Sequence, residues 1–182
     1  MPQGDPAERS VTANALSDVE VRQSGIEGLG LFAVRPFAAG ERIRVMNIVR
    51  EVTPDAPLRP DLGERSDHCD YPDGKTMLIG FPDRHINHSC DPIAWVHYGP
   101  EETEFIARRS IPSGAEITCD YHINLVGGSA WPCHCGSARC RGIVVGDYFA
   151  LPVALQREYA PYLAEWFVRR HRDRLAAAGF RP

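Results

Sequence analysis

The chain has 182 residues, of which 43% are hydrophobic and 24% are charged, as in an ordinary globular domain with its own core. Its formal net charge of -4 argues against binding along a nucleic-acid backbone, which requires a basic face. No apolar run approaches the roughly 18 residues that a membrane helix requires. Residues 1–18 lack the features of a secretory signal, and we predict that they form a disordered tail. The predicted localisation is intracellular, in the cytoplasm, with the nucleus as the alternative.

Short apolar runs separated by Gly, Pro and Asp follow the tail. Such runs are typical of strands, and the sequence therefore predicts a mainly β fold. The predicted strands are residues 19–23, 31–33, 41–49, 76–79, 94–98, 104–107 and 117–120. Residues 53–66 are polar and contain three prolines, which predicts a loop.

The C-terminal part has a different composition, which predicts two helices at residues 152–159 and 161–178. A proline lies at each helix start, and Gly179 lies where a C-terminal cap is expected. One face of the second predicted helix carries Leu163, Trp166, Phe167 and Arg170. We expect this face to pack against the β core.

Three of the six cysteines lie within eight residues, with the spacing C-x-C-x4-C: Cys133, Cys135 and Cys140. This spacing predicts a zinc site that lacks one of its four ligands. Candidates for the fourth ligand are Cys90, His134, Cys119 and Cys69. A zinc hydrolase is disfavoured, because it requires an open coordination position and a general base that an all-cysteine site does not offer.

Three further segments combine glycine or polar residues in unusual ways. They are residues 26–33 (IEGLGLFA), 84–92 (RHINHSCDP) and 114–121 (GAEITCDY). Glycines in the first segment permit close backbone approach to a ligand, but no helical pattern follows them, which disfavours a dinucleotide-binding unit. His88 and Cys90 in the second could be a base and a nucleophile, although two residues of separation place them poorly for that role.

Together with the cysteine cluster, these three segments form four motifs. In their order along the chain, the four motifs resemble those of the SET-domain family of protein-lysine methyltransferases. The family carries a G-x-G element, R-F-I-N-H-S-C-x-P-N, G-E-E-L-T-Y-D-Y and a post-SET C-x-C-x4-C. The resemblance implies a β-clip fold of short curled sheets with a pseudoknot, in which the segment of Tyr121 lies beside the N-H-S-C strand. It divides the chain into a SET domain (19–122), a post-SET zinc-binding segment (129–145) and a C-terminal helical extension (146–182).

The resemblance also implies a function: methyl transfer from S-adenosylmethionine to lysine side chains of a protein, with Tyr121 as the catalytic residue. Positions that match the family's cofactor contacts are Gly28, Leu29, Gly30, Arg84, Asn87, His88 and Tyr121. The implied Zn2+ ligands are Cys90, Cys133, Cys135 and Cys140. Tyr71 is a candidate channel aromatic, whereas core packing is the preferred interpretation for Trp131, with cofactor coverage as the alternative. Acidic residues favour a basic peptide as substrate, and we expect neither a nucleic-acid nor a membrane partner.

Three positions depart from the family pattern. Cys119 stands where the family has the Tyr or Phe that limits methylation, so we predict di- or trimethylation in a wider channel. Ile93 replaces an asparagine, and His85 replaces a phenylalanine. The alternatives are a catalytically silent SET-like module that binds a protein partner, and a cysteine-based enzyme that uses Cys119 or Cys69. Retention of the cofactor-matching residues and Tyr121 favours an active methyltransferase.

Overall fold

The computed structural model describes residues 17–180, and short strands dominate it, which confirms the predicted mainly β class. The strands are β1 (Val19–Gln23), β2 (Leu29–Ala33), β3 (Arg42–Val45), β4 (Ile48–Val52), β5 (Cys69–Asp70), β6 (Thr76–Ile79), β7 (Asn87–His88), β8 (Ala94–Tyr98), β9 (Thr103–Ala107), β10 (Glu116–Cys119), β11 (Ala130–Pro132) and β12 (Ile143–Val145). The helices are α1 (Val153–Tyr159), α2 (Glu165–Arg170) and α3 (Arg172–Ala177). Except for its last two residues, the predicted tail lies outside the described range.

The strands form four small sheets, with the orders β1-β2-β10-β7, β3-β9-β8, β4-β6-β5 and β11-β12. All pairs are antiparallel except β10 with β7, which pair in parallel with Thr118 opposite Asn87 and Cys119 opposite His88. This pairing brings the end of the G-A-E-I-T-C-D-Y segment beside the N-H-S-C segment. It therefore positions the functional site.

The predicted strand 41–49 is wrong as a single element, because the chain turns between β3 and β4 and enters a second sheet. The Asn47 amide N–H donates to the Asp83 carboxylate at 2.6 Å. The Met46 N–H instead donates to the Thr103 carbonyl at 2.8 Å. Because the two amides face different partners, one continuous ladder cannot form here.

The main core lies among the sheets and consists of aliphatic and aromatic side chains from most strands. Leu31 and Ile117 are register partners on β2 and β10, and both are fully buried. Phe37, Ala94 and Ile111 belong to the same core cluster. Burial of apolar surface at roughly 25 cal/mol per Å² is the main stabilising contribution to this type of fold.

The predicted helix 161–178 is wrong as a continuous helix: a 3-10 turn (Ala160–Tyr162) precedes α2, and α3 follows a break at His171. The Ala164 N–H donates to the Asn124 side chain at 2.7 Å, and Ala164 is extended, so the helix restarts after it. Phe167 is fully buried in a second, aromatic cluster. Among residues 17–180, no helix has the length and apolarity needed to cross a membrane.

Candidate active site

Tyr121 follows β10 and lies against the β7 segment. Its hydroxyl donates to the Ile86 carbonyl at 2.5 Å, and its backbone N–H donates to Nδ1 of His88 at 3.2 Å. About 37% of the Tyr121 surface faces outward, but the hydroxyl points inward, and burial raises the pKa of this phenol. Tyr121 therefore remains a neutral hydroxyl over the physiological range.

His88 connects Tyr121 to the cysteine cluster. Burial, more than any neighbouring charge, lowers the pKa of His88 to about 4, so the ring is neutral at pH 7. Since Nδ1 accepts the Tyr121 N–H, the ring proton belongs on Nε2, which lies 3.4 Å from the Cys90 sulfur. The imidazole thus donates toward a sulfur on one side and holds the Tyr121 backbone on the other.

Asn87 fixes the glycine segment. Its amide donates to the carbonyl oxygens of Glu27 and Leu29 at 3.1 Å and to the Glu116 carboxylate at 2.8 Å. Gly30 lies beside this contact, and a Cβ atom there would stand 2.4 Å from a Glu116 oxygen. A side chain at position 30 would displace the Glu116 oxygen that accepts the hydrogen bond from Asn87. This explains why glycine occupies position 30.

Glu116 was missed by sequence reasoning. It accepts hydrogen bonds from the Asn87 amide and, at 2.8 and 3.0 Å, from the Ser24 hydroxyl. It thereby joins the strand that leads to Tyr121 to the segment before the glycines. Its signal in the sequence is an acidic residue at the start of a strand whose other side chains are buried.

A cavity of about 580 Å³ opens beside these residues, which is a suitable size for a drug-sized ligand. It is lined by Ile26, Glu27, Gly28, Leu29, Arg65, Asp67, His68, Arg84, His85, Asn87, His88, Tyr121, Trp131, Pro132, Cys133, His134 and Val144. The structure thus brings together all the predicted cofactor residues except Gly30, which is buried and does not line the cavity. The preferred core interpretation of Trp131 is wrong: the residue is 41% exposed, and its ring lies 6.4 Å from the Tyr121 ring.

The sulfur atoms of Cys90, Cys133, Cys135 and Cys140 all lie within 4.8 Å of one another. The Cys90 and Cys133 sulfurs are 3.7 Å apart, close to the roughly 3.8 Å that a tetrahedral zinc site with 2.3 Å bonds requires. The backbone N–H groups of Arg141 and Gly142 point at the Cys90 and Cys140 sulfurs, at 3.3 and 3.4 Å. Amides aimed at sulfur stabilise thiolates, so this set of four ligands fits zinc.

Arg141 is a second residue that sequence reasoning missed. Its guanidinium donates to both Asp120 oxygens at 3.0 and 2.9 Å, and Asp120 is fully buried. Burial opposes ionisation of Asp120, but the hydrogen bond from His122 and the nearby positive charges outweigh it and lower its pKa. His88, Asp120 and His122 could geometrically hold a metal, yet Arg141 already supplies the cation at this carboxylate.

The sequence of this chain matches a known protein family. The family described as SET domain matches residues 28–122, which is more than half of the chain. The chain belongs to the SET-domain family. The matched residues contain the parallel β7–β10 pair and the side chains of Asn87, His88, Glu116 and Tyr121. Residues of the site that lie outside the match are Ser24, Glu27, Trp131, Arg141 and three of the four clustered cysteines.

Relatives of this SET domain include proteins named as histone-lysine N-methyltransferases. Human and mouse histone-lysine N-methyltransferase SETD2 are 40% identical over 68 residues, covering 35% of this chain and 3% of each relative. A Cryptococcus neoformans histone-lysine N-methyltransferase, H3 lysine-4 specific, is 34% identical over 139 residues, covering 66% of this chain and 9% of that protein. A Plasmodium falciparum crystal structure aligns with 58% of this chain and 94% of its own, at 20% identity and a TM-score of 0.46. The chain spans less than a tenth of the length of the SETD2 and Cryptococcus relatives.

The two predicted channel residues of the SET domain lie outside the lining of the 580 Å³ cavity. Cys119 ends β10 at 6% exposure, and burial raises the pKa of its thiol. Tyr71 is 40% exposed, and its hydroxyl donates to the Ser66 carbonyl at 3.3 Å. The Asp70 carboxylate accepts the Tyr71 backbone N–H at 2.9 Å, and its charge contributes to the raised pKa of both the Tyr71 phenol and the Cys119 thiol.

Proposed function

We propose that this SET domain transfers methyl groups from S-adenosylmethionine to a lysine side chain of a protein substrate. The observation that carries the proposal is the contact between the Tyr121 hydroxyl and the Ile86 carbonyl at the cavity wall. Tyr121 lines the cavity together with Asn87 and His88, and the contact joins its hydroxyl oxygen to the carbonyl oxygen of the residue that precedes Asn87. Such oxygens suit a polarised methyl group, toward which C–H···O contacts are favourable.

When bound, S-adenosylmethionine supplies a methyl group on a positively charged sulfonium. Transfer to an amine is an in-line displacement, so orientation provides much of the rate. Asn87 supports orientation by fixing the carbonyl groups of Glu27 and Leu29. Trp131 also lines the cavity, with its ring 6.4 Å from the Tyr121 ring, and would cover part of the bound cofactor.

We further propose that Zn2+ occupies the four-cysteine cluster. An all-cysteine site is closed, so the metal has a structural role. The ion would fix Cys133, and with it the neighbouring Trp131, to the β7 segment through Cys90. Assembly of the cavity is therefore expected to depend on the metal.

The substrate is proposed to be a basic peptide within a protein, methylated more than once. Cys119 is smaller than the Tyr or Phe of the family pattern, and a smaller side chain leaves room for an amine that already carries methyl groups. The acidic residues between positions 61 and 73 attract a basic peptide less than their number indicates, because some of them are paired with arginines of this chain. Glu64 is paired with Arg50 and Arg59, and Asp67 is paired with Arg65.

The test is incubation of the zinc-loaded full chain with radiolabelled S-adenosylmethionine and a cell extract or purified histones. We expect a labelled lysine in one or a few proteins, and loss of nearly all label with Tyr121→Phe. Calorimetry distinguishes an active methyltransferase from a silent module. The proposal is supported if the wild type and Tyr121→Phe both bind the cofactor and only the wild type labels a substrate. Folded, zinc-loaded wild type that binds no cofactor would instead favour the silent protein-interaction module.

A further inference from the structure

Asp70 is a carboxylate on β5 that the function proposed above leaves unused. Both of its oxygens accept the Tyr98 hydroxyl, at 3.1 and 2.9 Å, and Oδ1 also accepts the Tyr71 backbone N–H at 2.9 Å. These donors are neutral. Burial raises the pKa of Asp70, and the hydrogen bonds from Tyr98 and Tyr71 only partly oppose this effect.

The other acidic residues near it have cationic partners within the chain. Arg50 and Arg59 both pair with Glu64. Arg170 pairs with Asp73 at 2.7 Å. A carboxylate removed from bulk water and held by neutral donors retains an uncompensated charge, which costs free energy until a cation approaches.

Three sheets bring this carboxylate to the region where the lysine channel is expected. Asp70 comes from β5, Tyr98 from β8 and Cys119 from β10. The Tyr98 hydroxyl joins Asp70 to β8, and β8 contacts β10, which ends at Cys119. The charge of Asp70 also contributes to the raised pKa of the Cys119 thiol and the Tyr71 phenol. Asp70 and Tyr98 each keep part of their surface exposed to solvent.

We infer that Asp70, oriented by Tyr98, is the anion that receives the cationic amine of the substrate lysine in the channel. The inference rests on the proposed function, because a lysine-directed enzyme must first attract an ammonium group. The titratable groups around the carboxylate are Tyr98, Tyr71, Cys69 and Cys119, which are neutral at pH 7. An ammonium group would therefore be the first cation at this site, and a charge-assisted hydrogen bond would hold it.

Two single-residue variants distinguish a role of Asp70 in binding the amine from a purely structural role. Asp70→Asn removes the charge but keeps an oxygen that can accept from Tyr98 and Tyr71. Tyr98→Phe removes the hydroxyl but keeps the charge. We expect Asp70→Asn to raise the KM for a lysine-containing histone peptide about tenfold or more, and Tyr98→Phe to raise it about threefold or less.

The same pair of variants provides the control. The affinity for S-adenosylmethionine, measured by calorimetry, should stay within about twofold of wild type in both variants, because Asp70 lies outside the cofactor cavity. An acidic limb of the pH profile of kcat/KM that reports ionisation of Asp70 should be absent from Asp70→Asn, which has no carboxyl group at this position. Equal effects of the two variants, or a larger effect of Tyr98→Phe, would overturn the inference in favour of a structural bond between β5 and β8.

A binding measurement makes the inference testable without turnover. The probe is n-butylammonium chloride, which has the size and charge of a lysine side chain, added to isotope-labelled protein. The Asp70 side-chain carboxyl NMR signal, assigned by its absence in Asp70→Asn, should shift with millimolar probe and not with n-butanol. No shift, or an equal shift with n-butanol, refutes the cation site. A specific shift in a protein that transfers no methyl group would refute the proposed function and leave the cation site standing.

Discussion

The sulfur atoms of Cys90 and Cys133 lie 3.7 Å apart, although 43 positions separate these residues in the sequence. Cys90 follows His88 by two residues, and Cys133 follows Trp131 by two residues. One contact between sulfurs therefore links the segments that carry two cavity-lining residues, His88 and Trp131. If zinc binds the four cysteines as proposed, its binding should be coupled to the shape of the cavity.

The first prediction concerns removal of the metal. A strong chelator, or Cys140→Ser, should lower the thermal midpoint by roughly 10 °C, because the bond network that fixes the cysteine segment is lost. Affinity for S-adenosylmethionine should fall as well, since Trp131 loses its anchor. Metal analysis and differential scanning calorimetry provide the measurements.

The matched control for this prediction is Cys69→Ser, which changes a cysteine outside the cluster. We expect this variant to keep one zinc ion per chain. If Cys69→Ser lost the metal and Cys140→Ser kept it, the ligand assignment would be wrong.

Much of the fold was predictable, because local alternation of apolar and polar residues sets strand positions. The strands at 19–23, 76–79 and 94–98 were predicted with the observed bounds. The errors lie where long-range partners decide the structure. Asp83 captures the Asn47 amide and divides one predicted strand, while Asn124 captures the Ala164 amide and divides one predicted helix. The local sequence pattern does not indicate a hydrogen-bond partner that lies some 40 residues away in the chain.

The candidate site was predictable where the motif residues themselves face the cavity. Glu116 and Arg141 were not predicted, because their roles come from contacts with other motifs. Glu116 holds the Asn87 amide, and Arg141 holds the Asp120 carboxylate. The prediction that Trp131 packs in the core was wrong. From the sequence alone, a tryptophan is more readily assigned to the core than to the lining of a cavity.

The second prediction concerns pH and His85, which lies where the family pattern has phenylalanine. Burial, with a contribution from Arg84, lowers the pKa of His85 from 6.5 to about 4. The unfolded chain therefore binds more protons between these values, so this residue reduces the free energy of unfolding as pH falls from 6.5 to 4. His85→Phe removes this proton linkage and keeps the edge contact with Phe81, whose ring lies 5.8 Å away.

Urea unfolding across pH 4.5 to 8 measures this effect. Since His85 is only half-buried, we expect His85→Phe to exceed wild type by about 1 kcal/mol near pH 4.5. The difference should become small above pH 7, where both states of the wild-type residue are neutral. A difference that stays constant with pH would assign the effect to packing alone.

The third prediction concerns the contact between the C-terminal extension and residues 72–75. The Arg170 guanidinium lies 2.7 Å from the Asp73 carboxylate, and both side chains are close to half exposed. Such pairs contribute only about 0.5 kcal/mol, so Arg170→Ala should leave the global stability nearly unchanged. Hydrogen exchange of residues 72–75 should nevertheless accelerate, because the local closed state loses its contact.

Arg169→Ala is the matched control, because its guanidinium reaches the same carboxylate only at 3.8 Å. We expect little change in exchange with this variant. Equal acceleration in both variants would indicate a general charge effect instead of a specific contact.

The last prediction concerns Cys119 and the number of methyl groups added. Cys119→Phe introduces the larger aromatic side chain that the family pattern carries, and it should shift the products from di- or trimethyl-lysine toward monomethyl-lysine. Cys119 is buried within the main core, so overpacking should also cost about 1 to 3 kcal/mol of unfolding free energy. Cys119→Ala keeps the space open and should retain the wild-type product pattern. Mass spectrometry of the methylated peptide reads the outcome, and a wild type that forms only monomethyl-lysine would refute the wide-channel hypothesis.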